Sequence, residues 1–123
     1  MFDRWFYALF GVLVAIAAGH FLGIYTEGYR AFWWLDIITH FLGGFWVGGM
    51  VLWGLWARRY HMPTPVVAGA AAFLVGIAWE VFEVWSDPLL SGERGYFPDM
   101  ILDLIMDITG GVLAGILFVR NKK

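Results

Sequence analysis

Three short stretches place carboxylates and imidazoles inside otherwise apolar runs: "LDIITHFLGG" with Asp36 and His40, "WEVFE" with Glu80 and Glu83, and "DLIMDITGG" with Asp103 and Asp107. In a helix, spacings of three or four residues put each pair on one face. Such a collection offers hard oxygen donors and borderline imidazole nitrogens. It suits a divalent ion such as zinc, manganese, iron or magnesium and does not suit Cu⁺. The same groups can share protons instead. His40, Glu80, Glu83, Asp103 and Asp107 are the expected metal ligands. Asp36 is expected to bind or to orient a ligand, and His20 to support the site. Arg94, in "SGERGYFPD", is a cation close to these acids and could meet an anionic headgroup or pair with Glu93.

The elements that must carry these groups follow from composition. Of 123 residues, 61% are hydrophobic, 20% aromatic and 15% charged. A water-soluble chain this short has too much surface to hide that much apolar material, so lipid is the simpler solvent. Four runs are long enough to cross a bilayer core, roughly residues 5–24, 32–56, 65–85 and 100–119. None alternates as a membrane strand would. The expected fold class is therefore all-α, a four-transmembrane-helix bundle forming one integral membrane domain over residues 1–123. The chain contains no cysteine, which excludes disulfides and thiolate chemistry. With a net charge of −2 and no basic cluster, nucleic acid is not an expected partner.

Four crossings put Arg4, Arg58, Arg59, Arg120, Lys122 and Lys123 on one side and Arg30 and Arg94 on the other. The positive-inside rule then predicts cytoplasmic termini and a multi-pass protein of a bacterial inner membrane. Asp99, after Pro98, is expected to cap the last span. Asp87-Pro88 is expected to end the third. Gly19-x3-Gly23, Gly44-x3-Gly48 and Gly111-x3-Gly115 predict close helix packing, within the bundle or across a homo-oligomer face.

On this topology all four helices bring polar groups to one depth. His40, Glu80 and Asp107 lie about 9–13 Å inside the outer helix ends. Asp36, Glu83 and Asp103 form a layer above them, and no lysine or arginine lies within the spans to neutralise either. Charges in lipid are costly, so these faces are expected to turn inward. A cation or protons must then compensate them.

The three acidic stretches resemble those of the small VanZ-like and YjdF-like bacterial membrane proteins. Asp36 and His40 match an Asp and a His at the start of one span. "WEVFE" matches a Glu-x-x-Glu/Gln at the end of the next, and Asp103, Asp107 and Gly110 match an Asp-x3-Asn/Asp followed by glycine in the last. The resemblance implies a recurring intramembrane site in a small protein acting near envelope lipids. Here Asp107 and Glu83 add carboxylates where relatives often carry amides. Three functions are expected to compete: a metal site acting on a lipid or lipid-linked substrate, a proton- or cation-linked transporter or oligomeric channel, and a structural subunit of a membrane complex.

Overall fold

The computed structural model describes residues 3–60 and 64–122, the side chains of Tyr29 and Arg30 excepted. Four long helices carry the chain: α1 (Arg4–Tyr25), α3 (Trp33–Ala57), α4 (Pro65–Ser86) and α5 (Tyr96–Asn121). A one-turn helix, α2 (Gly28–Ala31), joins α1 to α3, and a 3-10 turn at Leu90–Gly92 joins α4 to α5. The long helices have 22 to 26 residues, about 33–39 Å at 1.5 Å per residue, enough to cross a hydrocarbon core of about 30 Å. Each is apolar enough to do so. The expected four-helix transmembrane bundle is what forms.

Local chemistry sets most of the ends. Asp3 caps α1 by accepting from the Phe6 N–H at 3.0 Å. Thr64 caps α4 by accepting from the Val67 N–H at 3.2 Å, with Pro65 at the first helical position, where its missing N–H costs nothing. Asp87 ends α4, its Oδ1 accepting from the Leu89 N–H at 3.2 Å. The start of α5 departs from expectation. It begins at Tyr96 rather than Met100, and its cap is Gly95 at φ 82°, a left-handed conformation that glycine adopts without strain. Pro98 falls in the first turn, where it needs no hydrogen bond. Asp99 therefore lies inside the first turn and does not cap the helix. Lys123 and the 61–63 part of the "WARRYH" loop lie outside the described residues.

α5 packs against both α3 and α4, which also touch each other. Small residues make these approaches possible. A Cβ on Gly48 would stand 2.8 Å from the Gly111 Cα, and one on Gly111 would stand 2.7 Å from the Ala68 carbonyl oxygen. One on Gly44 or Gly110 would strike the facing backbone of Asp107 or Phe41. These glycines are consumed inside the bundle, whereas Gly11, Gly19, Gly43 and Gly54 face open space.

α1 packs mainly on α3. Its first turns are anchored: the Trp5 indole donates to the Gly49 carbonyl at 3.3 Å, its ring meets Phe118 edge-on at 5.2 Å, and Leu9 is buried. Beyond Leu9 only Gly23 of α1 is buried. The remainder of α1 stands against a cavity of about 780 Å³ shared with α3 and α4.

Candidate metal centre

His40 organises the site. Its Nδ1 stands 3.2 Å and 3.4 Å from the two carboxylate oxygens of Asp107 on α5. Its Nε2 stands 3.7 Å from Asp36 Oδ1, one turn earlier on α3, and 3.7 Å from Asp103 Oδ2 on α5. The imidazole thus bridges the two expected layers, the deeper through Nδ1 and the outer through Nε2. Asp36, His40 and Asp103 each offer one donor atom, and these three atoms lie within 4.8 Å of one another.

The distances on the two sides of the ring differ in kind. At 3.2 Å, Nδ1–H donates to Asp107. A separation of 3.7 Å is too long for such a bond. It is close to what two ligands of one ion require: donors about 2.0–2.2 Å from a common zinc stand about 3.0–3.6 Å apart. With Nδ1 carrying the proton, the Nε2 lone pair points at two carboxylates, a repulsive arrangement that either a second ring proton or a cation among the three groups relieves. Asp107, Asp103 and His40 are 6%, 4% and 9% exposed. Asp36 is the open member, its side chain 40% exposed. Asp103 Oδ1 is buried without a hydrogen-bond partner among the described residues.

The same glycines that close the bundle hold this geometry. A Cβ at Gly76 would overlap the Asp107 carboxylate, and one at Gly44 its backbone. Both positions must be bare for Asp107 to reach His40.

The other expected site residues divide into separate contacts. Glu80 is 5% exposed; its Oε2 accepts from the Tyr96 hydroxyl at 3.5 Å, and its Oε1 is buried with no hydrogen-bond partner among the described residues. Glu83 Oε1 accepts from the Trp79 indole at 2.9 Å, and Glu83 lines the cavity. His20 lines it from α1, opposite Asp36 and His40. Arg94 is exposed and does not line it. Trp79 and Tyr96 escaped the sequence analysis. The i,i+4 spacing of Trp79 and Glu83 signals the first contact. Nothing local signals the second, which depends on α5 starting at Tyr96.

Over residues 1–123 the chain matches the family model described as "Predicted membrane protein (DUF2238)". The chain belongs to DUF2238. The match covers the entire DUF2238 bundle and every member of the cluster. No curated protein and no solved structure matches.

Proposed function

We propose that this DUF2238 protein is a divalent-metal-dependent membrane protein. Asp36 Oδ1, His40 Nε2 and Asp103 Oδ2 hold an ion of the zinc, manganese, iron or magnesium class. One observation carries the reading: donor atoms from two helices stand within 4.8 Å of one another around Nε2, while Asp107 holds Nδ1. A carboxylate behind a ligating histidine fixes the tautomer and ring orientation of a metal ligand. This assignment moves Asp36 into the ligand set and gives Asp107 the orienting role. Glu80, held near Tyr96, supports the wall.

The reaction class that fits is metal-assisted hydrolysis of a substrate borne by the bilayer. The ion would polarise a carbonyl oxygen and lower the pKa of a bound water. Glu83, on the cavity wall with one oxygen held by Trp79, is placed to take a proton. The resemblance to VanZ-like and YjdF-like proteins supports a recurring site of this kind. Conduction of ions or protons gains less support, because the lining becomes apolar away from the cluster, at Leu13, Ile16, Val47 and Val75. The structural-subunit alternative leaves the cavity unexplained.

The orientation belongs to the same proposal. The start of α1 meets the ends of α3 and α5 through Trp5, Phe118, Trp56 and Lys122, so the basic residues at those ends share one face. The positive-inside rule makes that face cytoplasmic and turns the cluster outward.

Elemental analysis of protein purified in detergent without chelator tests the assignment. About one divalent ion per chain is expected. Asp36→Asn with Asp103→Asn should abolish it, and Glu80→Gln should leave it in place. Metal retained in the double variant, or lost in Glu80→Gln alone, would overturn the ligand set.

A further inference from the structure

We infer that the cavity beside the cluster binds an uncharged amphiphile, a hydrocarbon tail ending in an ester, carbonyl or hydroxyl oxygen; the contact made by that oxygen rests on the proposed metal.

The shape of the lining comes first. Each of three helices contributes an eleven-residue step: from Leu13 to Ile24, from Asp36 to Val47, and from Ala72 to Glu83. At 1.5 Å per residue these are matched walls about 16 Å long. A volume of about 780 Å³ lies within the range of small-molecule sites, about 300–1,000 Å³.

Polarity runs along the same axis. His20, Asp36 and Glu83 stand towards the end nearest the α2 connection, His40 lies one turn deeper, and the Asp107 carboxylate reaches the cavity at the level of Gly76. The opposite end, at Leu13, Ile16, Val47 and Ala72, is apolar. A lipid lying along the bilayer normal has this gradient, with an oxygenated head near the surface and a tail below it.

Charge then chooses among lipids. The lining contributes three carboxylates and two imidazoles, with no lysine or arginine among the described residues. One divalent ion offsets the carboxylates of Asp36 and Asp103, and those of Asp107 and Glu83 remain. A phosphate or carboxylate head would meet a negative wall in a low-dielectric space, whereas a neutral oxygen can take an open metal position without that repulsion. An ammonium head has no lone pair to give an open metal position and would be repelled by the ion there. Entry is lateral, because α1 beyond Leu9 buries only Gly23 and packs mainly on α3, leaving its approach to α4 loosely closed.

Trp46 and Trp79 line the cavity and report on it. The probe is a monoacylglycerol with a dibrominated acyl chain, set against lysophosphatidic acid and a primary alkylamine carrying the same chain. Saturable quenching of tryptophan emission is expected for the monoacylglycerol, at least about tenfold tighter than for either charged probe. The saturable part should vanish in Trp46→Phe with Trp79→Phe. Gly43 also lines the cavity, and a Cβ there meets nothing within 4 Å. Gly43→Phe should therefore fill the space without disturbing the backbone and abolish quenching. Val75→Trp, from the opposite wall, should raise the concentration needed for it. Equal or tighter binding of a charged probe, or quenching indifferent to both filling variants, would overturn the inference. Metal content measured on the same samples separates the two claims. Metal present without saturable quenching overturns the cavity assignment alone. Quenching without metal supports the cavity and overturns the metal reading.

Discussion

At His40 the two ring nitrogens have different partners, and the chemistry of the site follows from that division. Nδ1 is held by Asp107 at 3.2 Å; Nε2 faces Asp36 and Asp103 at 3.7 Å. Asp107→Asn should therefore weaken metal affinity by about 10–100-fold without abolishing binding, the usual cost of losing an orienting partner. Competition titration against a chelator measures it; complete loss would make Asp107 a ligand. Affinity should fall as pH is lowered, because the ligands must shed protons before the ion binds. The same titration at stepped pH values checks that direction. Most of these residues were legible in the sequence, since ionisable groups at helical spacing inside apolar runs have few uses. The division of roles was not. Asp36 and Asp107 are both one turn from another candidate, and only rotamers and helix rotation decide which nitrogen each meets.

Helices supply the geometry through close approach. Gly48 and Gly111 bring α3 and α5 together, and Gly44 and Gly76 make room for Asp107. Gly48→Val should destabilise the bundle by about 1–3 kcal/mol or more, as overpacking does. Gly43→Ala, facing open space, should change stability little. Unfolding in mixed detergent with a denaturing component compares the two. The spans were legible because hydropathy over about twenty residues leaves little choice of solvent. The start of α5 was less so: Pro98 read as a boundary, but a proline in a first turn is permitted. The sequence also left the glycine motifs ambiguous between internal and intermolecular contact. Internal packing accounts for Gly44, Gly48 and Gly111.

At the scale of the molecule, the chain ends meet on one face. Lys122 pairs with Asp3, and its ammonium lies 3.7 Å over the Trp56 ring. Burial alone would raise the Asp3 carboxyl, but the Lys122 ammonium and the Phe6 N–H hold it below its ordinary value. A depressed carboxyl stabilises the fold above its unfolded pKa, and the contribution is lost as pH falls through the folded value. Asp3→Asn should thus lower stability at neutral pH by under about 1 kcal/mol, as for an exposed pair. Thermal unfolding should show that gap closing in acid. On the proposed topology, Ser91→Cys should react with an impermeant thiol reagent in intact cells, and Arg59→Cys only after permeabilisation. The reverse pattern would invert the bundle. The central claim is the ion between α3 and α5, and X-ray absorption at the edge of the bound metal tests it most directly. One imidazole among oxygen donors at about 2.0–2.2 Å is expected for zinc, with the imidazole scattering lost in His40→Gln. A metal bound by oxygen alone, or a spectrum unchanged in that variant, would contradict the account.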